Sequence, residues 1–238
     1  MITAPPPRLW VLIPAAGSGS RMQAAKPKQY LPLAGKTLLE VTLGHFLPRQ
    51  DIAAVLLVTA ADDACAAALN LPLLRCTGGA SRADSVLAGL AFLLSQGAAA
   101  EDYVLVHDAA RPCVTPERID ALIAAVRTHG RGGLLACPVS DTLKQADGNQ
   151  PSGALATLDR SQIWQAHTPQ MFRLHELKQA LEQAKALGQV VTDEASAMEL
   201  MGVQPLLVAD RRDNIKVTLP EDLALAEFIL SRHEEQGL

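Results

Sequence analysis

Leu9-Trp10-Val11-Leu12-Ile13 runs directly into Pro14-Ala15-Ala16-Gly17-Ser18-Gly19-Ser20-Arg21-Met22, and Lys26-Pro27-Lys28-Gln29-Tyr30 follows shortly after. The five apolar residues suit a short strand buried on both faces of a parallel sheet. The small residues and two glycines behind it let backbone amides approach a ligand and point at phosphate oxygens. The spacing is not a dinucleotide GxGxxG, since position 22 is Met, and it is not a GxxxxGK(S/T) loop. Arg21 and Lys28 add a guanidinium and an ammonium that could converge on a triphosphate and stabilise charge at its α-phosphorus.

Beyond this loop, short apolar runs alternate with helical patterns. Val55 to Val58, Tyr103 to Val106, Leu134 to Cys137 and Leu206 to Val208 read as further buried strands. Ser81 with Asp84 opens a helix carrying Val86, Leu87, Leu90 and Leu94 on one face. Thr115 and Pro116 start a second, with Ile119, Leu122, Ile123 and Val126 as its stripe. A third runs through Leu177, Leu181, Ala184 and Leu187 and stops at Gly188. Thr218 and Glu221 are expected to cap a last one. Such alternation implies an α/β fold: a Rossmann-like, mostly parallel sheet flanked by helices.

Residues from Ser140 to about Trp164 break the pattern. Thr142-Leu143-Lys144 alternates, Asp147-Gly148 is a hairpin signal, and Ala156 to Arg160 alternates again. This stretch reads as a β-arm protruding from a single domain that spans residues 1–238. Too polar for a core of its own, it is expected to pack on a second subunit and give a homodimer; a surface hairpin is the alternative.

With 49% hydrophobic residues in 238, the chain can bury a sizeable core, and 19% charged residues argue against disorder. The net charge of -4 speaks against a generic nucleic-acid binder. Cys65, Cys76, Cys113 and Cys137 form no CxxC pair and read as small hydrophobes in a reducing compartment. No apolar run is long enough to span a bilayer, and no signal peptide is evident. A soluble cytoplasmic protein is expected.

The Tyr103 strand ends in His107-Asp108-Ala109-Ala110-Arg111-Pro112. Ligands of open α/β sheets lie at the carboxyl ends of strands. An Asp there could hold Mg²⁺, which bridges to substrate phosphates, or serve as a turn residue. Arg111 could bind a second phosphate. His107 reads as a packing or backbone-bonded side chain, since attack by an ionised phosphate needs no general base. Lys216 sits in a late loop able to return to the site. Asp213 suits a second metal contact and a capping or salt-bridging role equally well. Thr192-Asp193-Glu194 looks like a helix N-terminus, while Trp164, Met171 and Phe172 read as packing residues.

Together, PAAGSGSRM with PKQY, GGASRADSVLAGL, VHDAARP, the arm's SDT and DR, HTPQMF, TDEAS and DNIKVTLPEDLALAE resemble the 2-C-methyl-D-erythritol 4-phosphate cytidylyltransferase family from Pro14 to Glu227. The resemblance implies transfer of CMP from CTP to 2-C-methyl-D-erythritol 4-phosphate in isoprenoid precursor biosynthesis, with release of pyrophosphate. It implies that Arg21 and Lys28 stabilise the transition state and that Arg160 and Lys216 position the acceptor. Asp108 would hold Mg²⁺ or another divalent cation. Arg111, Thr142, Thr168 and Thr192 would contact the acceptor, with Thr142 and Arg160 reaching the neighbouring subunit's site. Cytosine recognition would fall to backbone at Ala15, Ala16 and Gly79 and to the Ser85 side chain, beside the phosphate loop at Gly17. Two positions depart from the family pattern: Ala80, where an acidic residue is common, and Ser20, where many relatives carry a base.

The rival readings are a cytidylyltransferase for another polyol phosphate such as ribitol 5-phosphate, and a non-catalytic nucleotide-binding regulator. A dehydrogenase would need the GxGxxG that is missing here.

Overall fold

Alternate residues of the first strand face opposite sides of the sheet and seed two different cores. On one face Leu9, Val11 and Ile13 join Leu39, Leu43, Ile119, Leu122, Ile123 and Val126. On the other, Trp10 and Leu12 join Val86, Leu90, Leu93, Leu177, Leu181 and Met198. The computed structural model describes residues 6–17, 26–149 and 152–237.

The strands are β1 (Leu9–Pro14), the short pair β2 (Pro32–Leu33) and β3 (Lys36–Thr37), β4 (Ile52–Thr59), β5 (Leu74–Thr77), β6 (Tyr103–Val106), β7 (Gly133–Pro138), β8 (Leu143–Ala146), β9 (Ala154–Leu158), β10 (Trp164–Arg173) and β11 (Leu206–Ala209). The helices are α1 (Leu38–Gly44), α2 (Ala64–Ala68), α3 (Arg82–Ser95), α4 (Pro116–His129), α5 (Leu174–Ala186), α6 (Glu194–Leu200) and α7 (Pro220–Gln236). Seven strands form one sheet in the order β11-β7-β10-β6-β1-β4-β5. Neighbours pair in parallel except β10, which is antiparallel to both β6 and β7. Helices α1 and α4 cover one face; α3, α5 and α6 cover the other. Ala226 and Ile229 of α7 pack with Ala110, Cys113 and Val217, beside the carboxyl end of β6.

Every strand read from the sequence is present. Strand β10 was not foreseen, because its polar residues are buried rather than exposed. His167, Thr168 and Gln170 face inward and are hydrogen-bonded, His167 to Asp210 and Gln170 to Asp193. A buried polar side chain with partners leaves no hydrophobic period to read. Ser81 caps α3 as expected, accepting from the Asp84 amide at 3.0 Å. The cap of α7 falls one residue later than expected, at Leu219. Asp222 rather than Glu221 takes the free amides of Thr218 and Leu219, at 2.7 and 2.8 Å. Thr115 does precede Pro116 at the start of α4, but its hydroxyl makes no cap bond.

Strands β8 and β9 form a separate antiparallel pair, with Leu143 opposite Leu158. Their turn is longer than a two-residue hairpin: the Asp147 carboxylate accepts from the amides of Asn149 and Gly153. All of β9 is exposed, Leu155 to 65%. All four cysteines are free, Cys113 and Cys137 buried and Cys65 and Cys76 partly so. Among the described residues no helix is long and apolar enough to cross a membrane.

Candidate active site

A cleft of about 360 Å³ opens at the carboxyl ends of β1, β5 and β6. The β1 side is built from Pro14, Ala15, Ala16 and Gly17. The Ala15 amide donates to the Val58 carbonyl at 2.7 Å, and the Ala15 carbonyl accepts from Gln29 Nε2 at 2.9 Å. These bonds fix the backbone just before the glycine-rich segment. After β5 the chain turns at Gly78-Gly79. A Cβ on Gly79 would lie 2.4 Å from Cβ of Asp84, and one on Gly78 would lie 2.9 Å from Cβ of Ala16, so only glycine lets the turn approach α3 and β1 this closely. The Ser85 hydroxyl donates to the Ser81 carbonyl and accepts from the Gly79 amide at 3.1 Å, holding the turn against α3. Ala15, Ala16, Gly17, Gly79 and Ser85, the residues expected at the nucleotide, all line this one cleft.

Asp108, at the end of β6, is the electrostatic centre of its floor. Lys216 Nζ lies 2.7 Å from Oδ2, and Arg82 reaches Oδ1 through Nη2 at 3.0 Å and Nε at 3.1 Å. The Arg111 guanidinium stands 3.8 Å from Oδ2. Burial alone would raise the Asp108 carboxyl; the cations of Arg82 and Lys216 outweigh it and hold the group well below the usual carboxylate range. Lys216 arrives as expected on the loop after β11. Asn214 anchors that loop, donating to the Thr168 carbonyl at 3.0 Å and to Asp210 Oδ2 at 2.7 Å. Lys28 also lines the cleft and donates to the Val217 carbonyl at 2.8 Å, tying the segment after the glycine-rich stretch to the Lys216 loop.

A layer of hydrogen bonds supports Asp108 from behind. Its amide donates to Thr168 Oγ1 at 3.0 Å, and that hydroxyl lies 3.0 Å from His107 Nδ1. His107 Nε2 lies 3.0 Å from the Arg111 carbonyl, and the ring packs on Phe46. With Nε2–H as donor, Nδ1 is the acceptor for the Thr168 hydroxyl. Burial pushes the His107 imidazole down to about 4, so it is neutral near pH 7 and acts as a structural link. Arg111 donates to the Asn214 carbonyl at 2.7 Å. Arg111 and Thr168, expected at the acceptor, thus lie buried beside the cleft floor.

Arg21 lies outside the described residues, as does the glycine segment after Gly17. Thr142 and Arg160 are exposed on and beside the arm, and neither lines the cleft. Thr192 is exposed just ahead of α6, which Asp193 caps by accepting from the Ser196 amide. Asp213 is taken up by Arg211 and His233, which leaves the salt-bridge role of its two expectations.

Arg82 lines the cleft without an expected role there, and Glu194, expected only at a helix N-terminus, stands behind it. Arg82 Nη1 and Nη2 bind both oxygens of Glu194 at 2.6 and 3.1 Å, and Glu194 is 1% exposed. The sequence held one sign of this pairing: an Arg in the first turn of α3 runs against the helix dipole unless carboxylates meet it.

Asp108 is the one acidic side chain lining the cleft, and no group of three or more His, Cys, Asp or Glu among the described residues could hold a metal alone. A single hard carboxylate suits Mg²⁺, which fills its shell with phosphate oxygens and water. Lys216 and Arg82 each engage one oxygen of Asp108, and each oxygen keeps a further lone pair with which a cation could be met.

The sequence pattern of the 2-C-methyl-D-erythritol 4-phosphate cytidylyltransferase (IspD) family matches residues 9–232. Enzymes of that name from Vibrio vulnificus (strain YJ016) and Pseudomonas putida (strain GB-1) are 50% and 52% identical to the chain. The first alignment covers 96% of this chain and 97% of that relative, the second 91% and 93%. A crystal structure of a 4-diphosphocytidyl-2C-methyl-D-erythritol synthase matches with TM-score 0.80 at 39% identity, over 94% of this chain and 99% of that one. The Francisella tularensis 2-C-methyl-D-erythritol 4-phosphate cytidylyltransferase matches with TM-score 0.81 at 35% identity, over 93% and 99%.

Proposed function

The chain belongs to the 2-C-methyl-D-erythritol 4-phosphate cytidylyltransferase family, and from that premise we propose how its cleft performs the family's reaction. CMP passes from CTP to 2-C-methyl-D-erythritol 4-phosphate, giving 4-diphosphocytidyl-2-C-methyl-D-erythritol and pyrophosphate. A phosphate oxygen of the acceptor attacks the α-phosphorus in line as pyrophosphate departs. That oxygen is already ionised, so positioning and electrostatics do the work without a general base.

The convergence of Lys28, Lys216 and Asp108 on a cleft walled by Ala15 to Gly17 and by Gly79 to Ser85 carries this reading. The glycine turn lets backbone read the cytosine, with Ser85 holding the turn. Lys28, together with Arg21, stabilises charge growing on the α-phosphate. Lys216 and Arg160 orient the acceptor, assisted by Arg111, Thr142, Thr168 and Thr192. Asp108 would hold Mg²⁺, which when bound neutralises charge on the triphosphate. The arm would pair with a second copy, bringing Thr142 and Arg160 to the partner's cleft in a homodimer. The chain would act as one nucleotidyltransferase domain in the cytoplasm.

Pyrophosphate release, measured with each of the four nucleoside triphosphates against 2-C-methyl-D-erythritol 4-phosphate and ribitol 5-phosphate, tests the assignment. Turnover is expected with CTP and the methylerythritol phosphate. Turnover with ribitol 5-phosphate alone would overturn the acceptor, and absence of turnover with any pair would favour a nucleotide-binding regulator.

A further inference from the structure

Of the three cations around Asp108, Arg111 stands off at 3.8 Å, and the two at hydrogen-bonding distance, Lys216 and Arg82, are not equivalent. Lys216 is a single charge on a flexible stem, its side chain 40% exposed to the cleft. Arg82 is a planar fork with both outer nitrogens bound to the carboxylate of Glu194, whose side chain is 1% exposed. A guanidinium held on one edge presents its other edge at a fixed place, and Arg82 turns that edge to Asp108 Oδ1. Glu194 also cancels the Arg82 charge that would otherwise face an incoming triphosphate. Burial works against that charge, yet Glu194 and Asp108 together hold the guanidinium ionised.

We infer that Glu194 is a positioning residue for cytidylyl transfer, acting through Arg82. It locks Arg82 onto Asp108, so that Lys216 alone is released to substrate phosphate while Asp108 stays oriented. Without the Glu194 charge, Arg82 becomes an extra cation that grips the triphosphate in its ground state. Such binding tightens the complex without lowering the barrier. The inference rests on the transfer reaction proposed above.

Glu194→Gln keeps the shape and removes the charge. Its kcat is expected to fall by about tenfold or more, on the scale of losing a group that orients a reactive-site ligand. CTP binding by calorimetry is expected to be unchanged or tighter, a split that a merely structural role would not produce. In an Arg82→Gln background the same substitution should change kcat less than about twofold, because the pair acts as one unit. A wild-type kcat in Glu194→Gln, additivity with Arg82→Gln, or a loss of kcat that only tracks the unfolded fraction overturns the inference. If Glu194→Gln does not fold, Arg82→Lys carries the test, since it keeps the charge and loses the fork; a normal kcat there overturns it equally. The wild-type assay separates the two ideas: no turnover of CTP with the methylerythritol phosphate defeats the reaction, whereas normal turnover in both wild type and variant defeats only the role of Glu194.

Discussion

Lys216 Nζ sits 2.7 Å from Oδ2 of Asp108, and the same loop after β11 meets the segment after β6 through the Val217 amide on the Ala110 carbonyl and Arg111 on the Asn214 carbonyl. The Lys216 contact adds to that of Arg82 in keeping Asp108 ionised. Lys216→Ala should therefore lower kcat/KM by about 10²-fold, the scale of losing one preorganised charge. Steady-state pyrophosphate release at varied acceptor concentration checks this. A variant within a few-fold of wild type would remove Lys216 from the reaction.

Lys28 lines the same cleft and is tied to the Lys216 loop at the Val217 carbonyl. Lys28→Ala, and Arg21→Ala by the family pattern, are expected to reduce kcat by about 10²-fold or more. Single-turnover assays with saturating CTP separate this loss from weaker binding.

Gly79 leaves no room for a side chain, since its Cβ would stand 2.4 Å from Cβ of Asp84. Gly79→Ala should destabilise the fold by about 1–3 kcal/mol, the usual cost of forcing atoms into a packed site. It should also raise KM for CTP, because the turn cannot keep its place against Ser85. Urea unfolding and CTP titration read the two effects independently.

His107 is held near a pKa of about 4 by burial. Between that value and its ordinary one the unfolded chain binds the extra proton, so stability is full above about pH 6.5 and declines as pH falls to about 4. The contribution lost is about 3 kcal/mol. Urea unfolding across this range should show the slope in wild type and a flatter one in His107→Gln.

The arm is exposed along all of β9, and Arg160, also exposed, does not line the cleft of its own chain. If partners exchange arms, Lys28→Ala and Arg160→Ala damage different halves of a shared site. Mixed and refolded together, the two inactive variants should recover activity toward about a quarter of wild type, from the one intact site in each mixed dimer. Analytical ultracentrifugation of the wild type should show a dimer at micromolar concentration. No recovery, with a monomer in solution, would end the shared-site idea.

Much of the frame is written locally. The apolar runs behind β1, β4, β6, β7 and β11, the Ser81 cap and the Gly78-Gly79 turn each follow from a few adjacent residues. Their physics, burial on a sheet face or space for a backbone turn, needs no distant partner. The same locality places Ala15, Ala16, Gly17 and Asp108 just after strand ends, which a parallel sheet gathers on one side, with Lys28 in the short turn that follows.

What the sequence could not determine depended on long-range pairing. Strand β10 looked like neither a strand nor a helix, because its buried polar groups are satisfied by Asp210, Asp193 and the Asp108 amide, far along the chain. Arg82 and Glu194 are 112 positions apart, and Glu194 alone reads as an acidic residue in the first turn of a helix. Only the folded chain makes them a buried pair, since a charge leaves water only when its partner is already in place. The sequence by itself determined the α/β frame and the glycine turn after β5; the tertiary structure decided which cations meet at Asp108, because those pairings join residues far apart in the chain.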